Sequence, residues 1–355
     1  MQKTIDDSVY LSLEDKEIYK YAIQIGNVDH MQNMSIFSKK GVFEKKGEFN
    51  VFITDPSIDI YLVSASNLSF WVDDDKKILF YSRYFFNIFE ELPTFVDVVL
   101  NAINYTNFSD CEYLGNNIVS IERWFATYGH YLDEAFVLAD YINKYNNDSK
   151  VILDYPVIDQ PNFRCNINYK TIEDLLFDSK SINAALKPQK TLRGNNLTLI
   201  RHRFADTSFH SFPLTIRDQL IRKIKPEDFL NNEKVFITRG KALHMPRNLE
   251  NQSQIENYLA DNNFKVINPE TVGFVEFVKF IGNANTVVIT WGGALTNLVF
   301  LKKGARVIIL KSESYESETL WLFDKIIKTY ELKVSVINHK NNNCLIKDIC
   351  SELQL

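Results

Sequence analysis

The sequence predicts an α/β protein of two domains, and three observations carry that expectation. Residues 234–311 hold four short apolar runs, at 235–238, 264–268, 286–290 and 306–310, each rich in Val, Ile or Phe and each of strand length. Stretches with helical spacing separate them. Ser253 and Glu256 fit a capping box ahead of Ile255, Tyr258 and Leu259, and Phe274, Phe277, Val278 and Ile281 recur at helical intervals. Strand–helix alternation of this kind implies a parallel sheet covered on both faces. The third observation is size and composition: 355 residues, 45% hydrophobic and 24% charged, are enough for two cores and too apolar for disorder.

Taken in order, residues 14–25 read as a short helix, and 51–54, 60–64 and 78–82 as strands separated by turns. Between the last two, Trp71 to Lys77 reads as a hairpin tip. Its Asp73, Asp74 and Asp75 raise the question of a metal site, but acidic residues followed by lysines in a turn usually face solvent, and no metal is expected. Residues 84–103 are aromatic-rich and helical around Pro93. A strand at 117–121 is followed by a helix from about Tyr128, which places His130, Asp133 and Glu134 on one face and Leu132, Phe136, Val137 and Tyr141 on the packed side. One imidazole beside two carboxylates suits general-base chemistry, and it equally suits a histidine held by surface acids. Strands at 150–155 and 197–201 flank a helix at 171–178, so the first half is expected to hold a parallel sheet of its own. His202 and His210 read as surface residues. A helix at 212–225 with a basic end leads to a hinge at Lys225-Pro226-Glu227, and the domain boundary is placed there, giving domains 1–224 and 225–355. After residue 311 come a helix at 319–330, a strand at 333–338 and a terminal helix at 345–353, which could pack back on the first domain.

In the second domain the polar residues follow the strands. Arg239 and Gly240 follow the first, Glu270 the second, and Trp291, Gly292 and Gly293 the third. Ligands of open α/β sheets bind at the carboxyl ends of the strands, near helix N-termini. A glycine pair lets backbone N–H groups approach an anion, and Arg239 and Arg247 could neutralise a diphosphate. The pattern fits a nucleotide diphosphate. Glycines there also serve plain tight packing, and arginines at strand ends are often simply solvated.

The order Arg239, Arg247-x-Leu249-x-Asn251, Asn268-Pro269-Glu270, Phe274-x-Glu276, Phe280, Ala284 and Gly292-Gly293-Ala294-Leu295-Thr296-Asn297 resembles the C-terminal half of glycosyltransferase family 61. His130, Leu132 and Glu134 match a motif of that family's N-terminal half; Asp133 has no counterpart in it. Three positions depart from the family pattern: Gln252 and Phe277, and Trp291, which stands where the glycine loop usually begins with His.

The resemblance implies two Rossmann-like domains facing across a cleft, the GT-B arrangement. It implies a nucleotide-sugar donor, uridine diphosphate-linked, held by the second domain without a metal or other cofactor. Arg239, Arg247 and the backbone of Gly293 to Thr296 would contact the diphosphate, Glu270 the ribose hydroxyls, and Phe274 and its neighbours the base; Trp291, Gly292 and Asn297 complete the donor-site residues. His130, oriented by Glu134 or Asp133, would deprotonate a hydroxyl of a glycan or lipid-linked glycan acceptor, with inversion, in capsule, lipopolysaccharide or related glycoconjugate synthesis. A polysaccharide pyruvyltransferase and a non-catalytic nucleotide- or glycan-binding module are the alternatives.

The remaining expectations concern partners and location. A formal net charge of -5 weighs against nucleic acid. Cys111, Cys165, Cys344 and Cys350 show no zinc spacing and fit a reducing compartment. The opening residues lack a signal-peptide core and no apolar run reaches membrane-spanning length, so a cytoplasmic protein is expected. Peripheral membrane contact through the basic face of residues 217–225 would bring it to the inner face of the membrane.

Overall fold

Short apolar runs buried on both sides build the C-terminal half. The computed structural model describes residues 40–47, 49–65, 68–76, 102–121, 128–145, 148–153, 166–178, 181–183, 191–200, 213–239, 249–269, 271–313, 323–340 and 346–354. The helix expected at 14–25, the strand at 78–82 and the helical region around Pro93 lie outside these residues. Among the described residues, contacts group 40–121, 141–153 and 181–200 into one compact unit, and 128–140, 166–178 and 213–354 into another. Residues 128–140 and 166–178, on the N-terminal side of the division at 224, therefore belong with the second unit.

The second unit contains a five-stranded, wholly parallel sheet of β9 (Lys234–Ile237), β10 (Lys265–Ile267), β11 (Thr286–Thr290), β12 (Arg306–Ser312) and β13 (Lys333–His339). Their order is β10-β9-β11-β12-β13. Successive residues Val287, Val288 and Ile289, like Val307 to Leu310, are buried, as two-sided cover requires. One face packs Phe236, Val288, Ile308, Leu310 and Ile337 against Ile255 and Leu259 of α4 (Gln252–Asp261) and Ile349 of α7 (Ile346–Leu353). The terminal helix α7 thus packs on its own sheet. Arg306 bonds the Glu352 carboxylate at 2.9 Å, and the Cys350 thiol meets Tyr258 Oη at 2.8 Å. The helices α3 (Leu214–Ile224), α5 (Phe274–Ile281) and α6 (Asp324–Thr329) complete the unit, together with residues 128–140 and 166–178.

One local expectation changes. The helix α4 begins at Gln252 with Asn251 as N-cap, so Ser253 lies inside it and no Ser253–Glu256 capping box forms. The segment after Gly292 is a 3-10 helix, Gly293–Phe300.

The first unit departs from the expected Rossmann-like sheet. Its eight strands form a mixed sheet. The strands β5 (Cys111–Ile121), β6 (Lys150–Leu153), β7 (Ser181–Asn183) and β8 (Thr191–Ile200) are parallel, in the order β8-β5-β6-β7. The strands β1 (Gly41–Lys46), β2 (Phe49–Thr54), β3 (Ile60–Ala65) and β4 (Leu68–Asp73) pair antiparallel, and both β2 and β3 join one edge of β8. The reason is connection length: two residues separate β1 from β2 and β3 from β4, and a parallel crossover needs a dozen or more. Trp71 to Asp73, read from sequence as a hairpin tip, lie in β4, where Trp71 is buried in a core with Phe52, Leu62, Ile118, Leu192 and Leu199.

Strands β5 and β8 are longer than the apolar runs at 117–121 and 197–201. Each continues toward its N-terminus through residues that read as breakers. Gly115 has φ 98°, and Asn117 and Asn196 have φ 60° and 53°. The pairing of β5 with β8 shifts register between Tyr113 and Asn116, a bulge, and Asn196 Nδ2 donates to Asn117 Oδ1 at 2.6 Å across the two irregularities.

Candidate functional site

The order of the second sheet creates a crevice. From β9 the chain passes to β10 on one side and then to β11 on the other, so the connections diverge between β9 and β11. Ligands of such sheets bind outside the carboxyl ends at this switch point. Arg239 leaves the end of β9 and Trp291-Gly292-Gly293 the end of β11, and the two meet: Arg239 Nη1 donates to Trp291 O at 3.4 Å.

Gly292 turns the chain there with φ 145° and ψ −162°, a region open to glycine and strained for any residue with a Cβ. The 3-10 helix that follows starts with Leu295 N–H donating to Gly292 O at 3.0 Å. The amides of Gly293 and Ala294 precede that first bond, at the positive end of the helix dipole. Thr296 Oγ1 donates to Gly293 O at 2.7 Å and Asn297 Nδ2 to Ala294 O at 2.9 Å, so both side chains are spent on the loop's own backbone. Leu295 is buried. What this loop can offer a ligand is therefore backbone amide, with Gly293 exposed at its front.

A polar brace sets the Arg239 backbone. Gln252 Nε2 lies 2.8 Å from Arg239 O, 2.8 Å from Thr238 Oγ1 and 2.9 Å from Glu256 Oε1. Thr238 Oγ1 donates to the same Glu256 oxygen at 2.5 Å. An amide at position 252 can donate to the Arg239 carbonyl, which a carboxylate could not do. The sequence marked Gln252 only as a departure; its place beside Arg239 appears in the folded chain. On the other side of the crevice Lys311, at the end of β12, holds its ammonium 4.9 Å from the centroid of the buried Trp291 ring.

The base candidate lies in the same unit. The helix α1 (Tyr128–Tyr145) carries His130, Asp133 and Glu134 in its first two turns. The side chains of His130 and Asp133 lie outside the described residues. Glu134 is fully buried, as are Tyr131, Leu132, Ala135 and Phe136, so the Glu134 carboxylate faces protein and not solvent. Phe136 meets Phe300, the last residue of the 3-10 helix, edge-on at 6.4 Å, and Phe300 meets Phe274 at 5.5 Å. Phe274 is buried in this ring stack. The helix of the base candidate is thereby packed against the far end of the 3-10 helix that follows the glycine loop.

Two supports have no signal in the sequence. Tyr131 Oη donates to the buried Glu173 at 3.3 Å, linking α1 to α2 (Asn166–Phe177). Arg217 of α3 donates to Val299 O at 2.9 Å and Leu301 O at 3.4 Å, and its guanidinium lies 4.7 Å from the Tyr330 ring centroid. It caps the negative end of the 3-10 helix. Lys223 bonds Leu175 O and Asp178, so part of the basic face of residues 217–225 is engaged within the unit.

Arg247 and Glu270 lie outside the described residues, as do His202 and His210. The three adjacent carboxylates Asp73, Asp74 and Asp75 could group around a cation, but Lys40 already bonds Asp74 at 2.6 Å and Asp75 at 2.7 Å, and these two partners hold the Lys40 ammonium in its charged form. Among the described residues no helix is long and apolar enough to cross a membrane.

The family model described as Glycosyltransferase 61 matches residues 128–308, from the start of α1 into β12, just over half of the 355-residue chain. No curated protein matches it.

Proposed function

The chain belongs to glycosyltransferase family 61, and from that premise we propose that it moves a sugar from a uridine diphosphate donor to a hydroxyl of a glycan or lipid-linked glycan acceptor. The observation that carries the reading is the meeting of Arg239 with the Gly292–Gly293 turn at the switch point of a parallel sheet. A cation beside helix-end amides suits a diphosphate, whose negative charge grows as the sugar leaves.

In this scheme Arg239, with Arg247, and the amides of Gly293 and Ala294 hold the diphosphate, and Glu270 takes the ribose hydroxyls. His130 removes the proton of the acceptor hydroxyl. The acceptor oxygen forms a bond to the anomeric carbon from the face opposite the diphosphate. The carbon–oxygen bond to the diphosphate breaks, its electron pair leaves with the phosphate, and the configuration inverts. The positive groups do the work for which other transferases use a metal. The architecture proposed is GT-B, with the acceptor entering from the N-terminal side. The setting proposed is surface-polysaccharide or glycoconjugate synthesis at the inner face of the membrane.

Thermal-shift titration with nucleotides and nucleotide-sugars, with and without chelator, tests the donor assignment, since a ligand of the folded state raises its stability by mass action. A shift with uridine diphosphate that survives chelation is expected. No shift with any nucleotide would overturn the donor reading. Loss of transfer in His130→Ala with donor binding intact is expected; near-normal turnover would remove His130 as base.

A further inference from the structure

Lys311 stands at the crevice with no role in the scheme above. The sheet register brings it there. Ile237 pairs with Ile289, and Ile289 with Ile309. Two residues further along each strand come Arg239, Trp291 and Lys311, which therefore form one row across the carboxyl ends of β9, β11 and β12. Alternate residues of a strand share a face. The neighbours Thr238 and Leu310 belong to the opposite face: Thr238 bonds Glu256 of α4, and Leu310 packs in the core with Ile255 and Leu259 of α4. By this alternation the row of Arg239, Trp291 and Lys311 lies on the side of the sheet away from α4. Arg239 is joined to the Trp291 carbonyl, and the Lys311 ammonium lies over the Trp291 ring.

We infer that Lys311 is a further cation of the donor-diphosphate site, besides Arg239 and Arg247, and that Trp291 is the platform that positions it. The inference rests on the donor reading above. A diphosphate carries more than one negative charge, and Arg239 supplies one positive charge at this edge. A buried indole attracts an ammonium to its face, which holds the long, flexible lysine stem in one direction before the ligand arrives. Trp291 itself is fixed: its N–H donates to Leu310 O at 2.9 Å and its ring is buried. The row thus brings one cation to the Trp291 carbonyl and another to the face of the Trp291 ring, at the strand end that leads into the Gly293 and Ala294 amides.

Calorimetric titration in the presence of chelator tests this, using wild type, Lys311→Met, Lys311→Arg and Trp291→Leu against uridine, guanosine, thymidine and the diphosphate of each. For the diphosphate that wild type binds, Lys311→Met should weaken binding about tenfold, the scale of one charge-assisted hydrogen bond. It should leave the affinity for the matching nucleoside unchanged and reduce the salt dependence, and Lys311→Arg should restore most of the loss. Trp291→Leu should weaken diphosphate binding in the same direction by releasing the lysine. Equal diphosphate affinity in wild type and Lys311→Met would overturn the assignment while leaving the donor reading in place. So would an equal loss for diphosphate and nucleoside, which would mark a general disturbance. Wild type that binds none of the diphosphates would overturn the donor reading itself, and this inference with it.

Discussion

In the C-terminal sheet the strands are short, parallel and buried throughout β11 from Val287 to Thr290, whereas the two long strands of the N-terminal sheet are continuously buried only over their last four residues. The first halves of β5 and β8 mix exposed and buried positions and carry left-handed Asn117 and Asn196 where the pair bends. The difference follows from topology. Long crossovers bring helices onto both faces of a parallel sheet, while hairpins such as β1–β2 and β3–β4 only extend it sideways. The strained glycine and the paired cation of the candidate site belong to the helix-covered sheet, whose strand ends are held from both sides.

The largest expected effects come from emptying each core in turn. Ile118→Ala in the first unit and Ile308→Ala in the second remove fully buried side chains, and each should cost about 2–5 kcal/mol in denaturant unfolding. If the units unfold separately, each substitution should lower its own transition only. A loss below about 1 kcal/mol at either site would show that core to be looser than the packing implies.

Next in size is a pair of glycines. Gly292→Ala forces a Cβ into a glycine-only region and should cost about 1–3 kcal/mol as well as nucleotide affinity. Gly115 also has positive φ, 98°, but a Cβ there would meet nothing within 4 Å. Gly115→Ala should show only the conformational cost and leave nucleotide binding unchanged. Equal losses of binding in both would break the link between the Gly292 turn and the ligand.

Asn196→Ala tests the bend of the long strands. It places alanine at φ 53° and removes the bond to Asn117, for an expected loss of about 1–2 kcal/mol. Asn196→Gly should be milder, because glycine accepts that conformation. A neutral alanine variant would mean that the bend is not under strain.

The smallest effect is pH-dependent. His339, at the carboxyl end of β13, is buried, and its Nδ1 has no hydrogen-bond partner among the described residues. Burial lowers its pKa from the ordinary 6.5, opposed in part by Glu313. The unfolded chain therefore takes up the proton first. The stability due to neutral His339 is complete above about pH 6.5. It falls as the pH drops through that value toward the lower folded pKa. Melting temperatures of wild type and His339→Asn between pH 8 and 5 should diverge in slope, with wild type the steeper. Parallel slopes would remove the burial account.

Much of the C-terminal unit was legible in the sequence. A strand buried on both faces reads as a near-continuous apolar run, as 235–237, 287–289 and 307–310 do, while the edge strand β10 leaves Lys265 and Val266 exposed. The N-terminal sheet was harder to read. The strand β1, with the sequence Gly41-Val42-Phe43-Glu44-Lys45-Lys46, pairs only at the rim, and β5 and β8 hide behind Gly115, Asn117 and Asn196, which look like breakers until their bulge is seen. Residues 128–140 belong with the second unit, as do 166–178, an assignment that no local pattern carries.

The candidate site divides in the same way. Arg239, Trp291, Gly292 and Gly293 stand directly after strands, where chain order alone points to a ligand edge. Gln252 and Arg217 have no such mark, and Lys311, although it follows the run at 306–310, shows its partner only in the folded chain: Gln252 acts on the Arg239 carbonyl, Arg217 on Val299 and Leu301, Lys311 on the Trp291 ring. Local composition and period thus determined the parallel α/β half and the edge where its polar residues gather, and the ordered motif residues pointed to its family. Strand register and helix packing decided which side chains stand together there, because the row of Arg239, Trp291 and Lys311 joins residues far apart along the chain, which only pairing brings into line.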